Sequence, residues 1–441
     1  MPRLEVESDP IAAGSHTWAV LSAAVFDNRY TRESRRHNMI ELADVLDARE
    51  RVESVARHTP LEYSYSFSEM TGAAVHPKLE VFQRTGSFKI RGATNRIARL
   101  SADEQATGVV TASAGNHAQG VALAATRADV DSVVVMPEHA PIAKVQATRS
   151  YGAEVVLHGD DYDAAQARAH EIKADERRTY VHAFDDPAVM AGQGTIGLEI
   201  VEDCPEVDTV VVPIGGGGLI AGIATAIKAK SPDTRVIGVE AAGAPSAARS
   251  REAGTIEELD GVDTIADGIA TRKVGERTFA VIEERVDEVV TVSDPEIAVV
   301  ITTLLERSKT LVEGAGAVPM AAVLSEAFEY ADDEVIVPTL CGGNIDLNML
   351  RTVVMRGLVE TGRYLRLRTT LADRPGALEQ LIGIISAERA NIYAIQHDRT
   401  TRDTGMTATE VAIDLETRGE EHVAALLDEL EANGYDVDVL V

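Results

Sequence analysis

Lys89 lies in the stretch EVFQRTGSFKIRGATN, residues 80–95, between a polar turn at 83–87 and a run at 90–97 that reads as a helix. An amine at a helix N-terminus meets the positive end of the helix dipole, which disfavours a cation. Arg84 and Arg91 lie close by in sequence, and neighbouring positive charge pushes a lysine pKa in the same direction. A lysine left neutral is a nucleophile toward a carbonyl carbon. The same residues also read as an ordinary surface lysine at a helix start. Further along, Gly215, Gly216, Gly217 and Gly218 run into Leu219, between a β-branched stretch at 209–212 and an apolar helix at 219–230. Glycines let several backbone N–H groups converge on one anion, and the helix dipole adds to the attraction. The chemistry of such a cup is phosphate binding. The alternative, a flexible turn, sits badly with the backbone entropy of four glycines wedged between strand and helix. No Gly-Lys-Ser/Thr follows the cup, and its spacing is not the dinucleotide fingerprint.

A reactive lysine with a phosphate cup, and no nucleotide motif, points to pyridoxal phosphate. The elements that must position the two are read from short β-branched runs alternating with helical stretches. Strands are expected at 79–81, 108–112, 132–137, 153–157, 179–182, 209–213, 235–240 and 335–340. Helices are expected at 90–100, 142–151, 162–177, near 195–201, and at 219–230, 294–309, 319–330 and 347–357. This alternation means parallel sheets with helices on both faces. The chemistry-bearing loops follow strand ends, where open α/β sheets bind ligands. From Tyr364 the texture changes to a βαββαβ order over 364–441, with a helix at 420–433 and a closing strand at 435–441. That order is ferredoxin-like α+β.

The chain has 441 residues and a net charge of −29, with 8 lysines against 34 arginines. Such a surface repels nucleic acid and anionic membranes, and reads as adaptation to a salty cytoplasm. Two cysteines, Cys204 and Cys341, fit a reducing compartment without a disulfide framework. The apolar run from Trp18 to Phe26 is too short to span a bilayer and lacks the basic flank of a signal peptide. Residues 1–38 hold five arginines, five acids and the only tryptophan. They are expected to be a poorly ordered or non-native extension ahead of a natural start at Met39, with a genuine N-terminal arm as the alternative.

The motifs QRTGSFKIRGA (83–93), SAGNHAQG (113–120), the glycine cup with Leu219, and CGGN (341–344) together resemble the threonine ammonia-lyases, or threonine dehydratases. These belong to the fold type II pyridoxal-phosphate family, beside serine dehydratase, serine racemase and the cysteine and tryptophan synthases. The likeness runs in order over 39–357, and DRPGAL (373–378) resembles part of an ACT domain. The resemblance implies a two-subdomain catalytic domain over 39–357 with a small subdomain at about 77–182, a linker at 358–363, and an ACT regulatory domain at 364–441.

The resemblance also implies roles. Lys89 would bind the cofactor aldehyde and then take the substrate α-proton. Phe88 would lie near the ring, and Asn116 would hydrogen-bond its 3-oxygen. Gly215, Gly216, Gly217, Gly218 and Leu219 would hold the phosphate. Ser113, Ala114, Gly115, Asn116 and His117 would grip the substrate carboxylate. Cys341 would face the pyridine nitrogen, where many relatives carry serine; its other reading is a buried apolar residue. A thiol there cannot hold the ring protonated as a carboxylate would. Ala114 stands where serine racemases carry a serine acid/base, and a methyl group exchanges no proton. Glu240, the Ala244 carbonyl and Ser246 resemble a cation site, with an acidic ligand replaced by Ser246, so magnesium, a monovalent ion and no ion all stay open. Glu313 would approach the cofactor or cap a helix.

The expected reaction is β-elimination of water from L-threonine, giving 2-oxobutanoate and ammonia, with L-serine as a secondary substrate. The alternatives are an L-serine dehydratase or serine racemase on the same scaffold, or an inactive amino-acid-sensing protein. A homo-oligomer and an amino-acid effector at the C-terminal unit, with isoleucine and valine as candidates, follow from the resemblance.

Overall fold

The computed structural model of the chain describes residues 39–399 and 407–441. The N-terminal extension discussed above lies outside the described residues. The described chain forms three sheets. The largest holds β1 (Ala74–Val75), β6 (Thr209–Pro213), β7 (Arg235–Ala241), β8 (Glu288–Val292) and β9 (Val335–Pro338), in the order β1-β9-β6-β7-β8. All its pairings are parallel. The second holds β2 (Val109–Ala112), β3 (Ser132–Met136), β4 (Glu154–Leu157) and β5 (Thr179–Tyr180), in the order β4-β3-β2-β5, also parallel throughout. β2, β3 and β6 are buried along their whole length, as continuous apolar strands must be when helices cover both faces.

The second sheet, over 109–180, is inserted between β1 and β6 of the first. The helix Pro187–Asp203 joins the two. Proline occupies its first turn and the Asp186 carboxylate accepts from Ala188 N at 2.7 Å and Val189 N at 3.2 Å, a start favoured on both counts. Two apolar clusters flank the large sheet. One gathers Val211, Ile237, Val239 and Ile336 with the helix Gly314–Leu324; the other gathers Val210, Val212 and Val236 with Ile220 and Ile223.

The third sheet is antiparallel. It holds β10 (Tyr364–Ala372), β11 (Asn391–Asp398), β12 (Ala408–Glu416) and β13 (Val437–Val439), in the order β11-β12-β10-β13. Leu365, Leu367, Val411 and Ile413 alternate toward Leu381, Ile385, Leu426 and Leu430, which belong to the helices Ala377–Ala387 and Glu420–Ala432. The opposite face is polar, with Arg366 paired to Asp414 at 3.0 Å and Arg368 to Asp438 at 3.1 Å.

Several elements differ from the sequence reading. Residues 79–81 are not a strand: Glu80–Phe82 is a 3₁₀ turn, closed by Phe82 N to Leu79 O at 3.1 Å and Gln83 N to Glu80 O at 3.1 Å. That turn sends the Glu80 side chain into the interior, where it is fully buried. The helix expected to open on Pro319 runs over Gly314–Leu324, with the proline inside it. The helix from Asp294 ends at Thr303 and passes into a π turn over Leu304–Ser308, which Lys309 closes in left-handed backbone (φ 55°). The helix from Leu347 continues to Glu360, so half of the expected linker is helical.

Candidate active site

Lys89 is the first residue of the helix Lys89–Ala98. The segment before it is fixed on both sides. Ser87 bridges Gly342, and Phe88 N donates to Cys341 O at 3.1 Å. Thr85 holds left-handed backbone (φ 66°), an outlier for a β-branched residue of the kind that clusters at functional sites. Its carbonyl accepts from Asn344 Nδ2 at 2.7 Å. The buried hydroxyls of Thr85 and Ser87 have no partner within the protein.

The Lys89 amine donates to Ala183 O at 3.1 Å and lies 5.0 Å from the centre of the Phe88 ring. Desolvation brings its pKa down to about 8, against the opposing pull of Cys341 and Glu313. The arginines are not the cause, contrary to the sequence reading. The Arg91 guanidinium turns away into a buried network, with Glu80 at 2.7 Å and Glu199 at 2.6 Å. Lys78 joins the same network through Glu199 at 2.8 Å. A helix turns its side chains through 100° per residue, so two positions on from Lys89 faces nearly the opposite side.

Four long-range contacts gather the remaining groups. Asn116 Nδ2 donates to Glu313 Oε1 at 2.5 Å, and Asn344 Nδ2 donates to Asn116 Oδ1 at 2.8 Å. Glu313 N donates to Gly342 O at 3.0 Å, and Cys341 Sγ donates to Ala315 O at 3.5 Å. A Cβ on Gly342 would stand 2.3 Å from Glu313 Oε1 and 3.1 Å from Asn116 Nδ2. Burial, with Asp267 nearby, raises the Glu313 carboxyl to about 7. Burial likewise pushes the Cys341 thiol far up, helped by Glu313.

The glycine cup lies against the segment that receives the lysine. Cβ atoms on Gly216 and Gly218 would strike Phe184, at 2.3 Å from its ring and 2.8 Å from its Cα. Phe184 follows Ala183, the Lys89 acceptor. Gly217 holds left-handed backbone (φ 90°) and is the N-cap of the helix Gly218–Lys230, which no side chain caps. Thr278 Oγ1 donates to Gly216 O at 2.7 Å. The helix Asn116–Arg127 also starts without a side-chain cap, so two first turns keep their N–H groups available for anions. Ser113, Ala114, Gly115 and Asn116 are half-buried, and Ser113 Oγ accepts from Gly115 N at 3.1 Å. His117 is buried instead. Its Nε2 lies 3.0 Å from Val181 O, and burial with the nearby Lys89 holds its pKa at about 3, so it stays neutral. Leu219 is buried among the apolar residues under the cup.

Glu240, Ala244 and Ser246 lie together, but the carboxylate is engaged. Glu240 accepts from Ala247 N at 2.7 Å, Ala248 N at 2.8 Å and Ser246 Oγ at 3.3 Å, capping the helix Ser246–Ala253. Among the described residues no group of three or more His, Cys, Asp and Glu is arranged to hold a metal.

The residues present fit pyridoxal phosphate. The amine lacks a short carboxylate partner, the neighbouring cup offers uncapped amides, and buried hydroxyls with no protein partner lie beside the lysine. Sequence reasoning missed Ala183, Phe184, Thr278 and Asn344 as parts of this arrangement. Of these only Asn344, in CGGN, had a visible signal.

The comparisons with known proteins agree. Residues 52–342 match the model of the family described as pyridoxal-phosphate dependent enzyme. The chain is 50% identical over 402 residues to an L-threonine ammonia-lyase of Geobacter sulfurreducens, covering 91% of this chain and all of that one. It resembles the structure of a processed threonine deaminase isoform from Solanum lycopersicum, with a TM-score of 0.70, 41% identity, and 74% and 88% of the two chains covered. It also resembles maize serine racemase, with a TM-score of 0.68, 35% identity, and 72% and 98% covered.

Proposed function

The chain belongs to the pyridoxal-phosphate dependent enzyme family, and from that premise we propose that it deaminates L-threonine by β-elimination of water. Loss of the α-proton and the β-hydroxyl as water leaves an enamine, which after release takes up water to give 2-oxobutanoate and ammonia. Bound at Lys89, pyridoxal phosphate supplies the electron sink that acidifies the substrate α-carbon. The chain's own residues do the rest. The Lys89 amine, whose pKa desolvation lowers to about 8, anchors the cofactor aldehyde and, when free, serves as base for the α-proton. The glycine-cup amides would take the phosphate. The loop at 113–117 takes the substrate carboxylate at the uncapped start of the helix Asn116–Arg127. Asn116 is held by Glu313 and Asn344 and would hydrogen-bond the ring 3-oxygen, and Cys341 would face the ring nitrogen.

The observation that carries this reading is the shared Ala183–Phe184 segment, which receives the lysine amine through one residue and packs against the cup through the next. Ala114 disfavours racemisation, because it offers no acid or base opposite Lys89. L-Serine fits as a secondary substrate with the same leaving group. We read the βαββαβ unit over 364–441 as an ACT domain that senses an amino acid, supported by its antiparallel sheet order β11-β12-β10-β13. A homo-oligomer in a salty cytoplasm completes the reading. A cation at Glu240 would have to displace the capping contacts that carboxylate makes.

Steady-state turnover at high potassium chloride tests the substrate: kcat/KM for threonine is expected to exceed that for serine. A preference for serine of more than about tenfold, or 1.4 kcal/mol of transition-state binding, overturns it. Calorimetric titration of the full chain with isoleucine and valine tests the sensing unit.

A further inference from the structure

Pro319 stands in the interior of the helix Gly314–Leu324, whose residues from Gly314 to Val323 are all buried. A proline inside a helix costs about 3 kcal/mol, because it removes an N–H and crowds the carbonyl four residues back. That carbonyl belongs to Ala315. In an ordinary helix it accepts from the N–H of residue 319, which Pro319 lacks. A buried carbonyl without a donor is itself unfavourable. In this chain it has a partner from outside the helix: Cys341 Sγ, at 3.5 Å and buried. A thiol carries one proton and is a weak donor, so a carbonyl relieved of its helical partner is the kind of acceptor that can hold it.

We propose that Pro319 is a positioning residue for the site: by withholding an N–H it frees the Ala315 carbonyl to hold the single proton of the Cys341 thiol. This rests on the reading of Cys341 as the group facing the cofactor's ring nitrogen. While the carbonyl holds that proton, the sulfur cannot donate it to the ring. The ring nitrogen then meets neither a carboxylate nor a thiol proton, and the electron demand of the ring stays low. The inward proline thereby gains a chemical reason. The helix gives up one internal hydrogen bond and fixes the orientation of a side chain from a loop 26 residues away in sequence.

The S–H stretch of a thiol falls in an infrared window clear of other protein bands, and its frequency drops on hydrogen bonding. In a Cys204→Ser background Cys341 is the only thiol. Stripped of cofactor, the protein with Pro319 intact is expected to show the lowered frequency of a bonded thiol. Pro319→Ala restores an N–H at 319, the helix reclaims the carbonyl, and the band rises to the free-thiol position. Loading pyridoxal phosphate leaves the band of the Pro319 protein in place and lowers that of the variant. A free-thiol frequency with Pro319 intact overturns the proposal without any reliance on the variant folding. So does a band that moves on loading in the Pro319 protein, or one that is the same in both. Failure to develop the cofactor's visible absorption on loading overturns the reading of the site instead, so the two failures are told apart.

Discussion

Gly218→Ala adds one methyl group where the cup meets the lysine's acceptor. The backbone at Gly218 is not left-handed, so alanine meets no conformational penalty there, and the effect is one of space alone. The new Cβ would lie 2.8 Å from Phe184 Cα and 2.9 Å from its carbonyl oxygen, against ordinary contact from 3.4 Å. Both obstacles belong to backbone or sit next to it, so no side-chain rotation relieves them. Either the start of the cup helix or the Ala183–Phe184 segment must withdraw by about half an ångström, and overpacking of this kind costs about 1–3 kcal/mol. The strain falls on the surface proposed to receive phosphate and on the carbonyl that receives Lys89. Charged wholly to cofactor affinity, at about 1.4 kcal/mol per tenfold, it weakens binding roughly 5- to 150-fold. Titrating cofactor-free protein with pyridoxal phosphate, followed by visible absorption, reads the dissociation constant, and circular dichroism checks the fold. A variant that folds normally and binds within about twofold of the parent refutes the reasoning.

In cofactor-free protein the Lys89 pKa of about 8 lies below its ordinary 10.5; the unfolded chain binds more protons between those values, so the contribution to stability rises with pH across that window. The rate of pyridoxal-phosphate capture should accordingly climb with pH and level off above about 8, and stopped-flow rates that still climb beyond about pH 10 count against a desolvated amine. Glu313 is raised from 4.5 to about 7, so the fold binds more protons than the unfolded chain in that window and loses stability as pH rises through it. Glu313→Gln should flatten this dependence, and parallel melting curves for parent and variant across the window would sink the assignment. Arg91→Met leaves Glu80 buried without its cation and Glu199 with Lys78 alone, and should lower stability by about 3–5 kcal/mol; denaturant titration showing a loss below about 1 kcal/mol would mean the network is relaxed by water.

The parallel sheets were legible because β2, β3 and β6 are buried on both faces, and burial on both faces leaves unbroken runs such as TVVVP and SVVVM in the sequence. The lysine and the cup were legible for a related reason: each needs a special residue type at the start of a helix. What escaped was decided by contacts between distant segments. Asn116 and Glu313 are 197 residues apart, and Asn344 and Thr85 are 259 apart. Nothing local distinguishes Glu313 as a partner of Asn116 from Glu313 as a helix cap. Arg91 misled because proximity in sequence was taken for proximity in space, whereas helical rotation sends it into the Glu80–Glu199 network. Pro319 misled in a more instructive way. Proline at a helix start is the local expectation, and its place inside the helix makes sense only once Cys341 is known to occupy the freed carbonyl.

The charges around the lysine follow one logic. Arg84 is exposed; of the three other cationic side chains in this part of the chain, two are buried with carboxylates in hand: Arg91 with Glu80 and Glu199, and Lys78 with Glu199. The Arg91–Glu199 pair ties the lysine helix to the helix Pro187–Asp203, which carries Glu199. All three donate to a backbone carbonyl, but Lys89 alone of them has no carboxylate beside it, an arrangement that holds an amine in place without holding it charged. The carboxylate whose field opposes deprotonation of Lys89 is Glu313, and burial keeps Glu313 itself protonated up to about 7. A neutral Glu313 exerts little Coulombic hold on an ammonium. As pH rises through about 7 Glu313 ionises and its field holds the Lys89 proton, so the amine is freed from about 8 upward, well below the ordinary 10.5. Nucleophilicity in this site thus comes from desolvation with close ion pairing withheld, and the arginine network serves to place the amine without charging it.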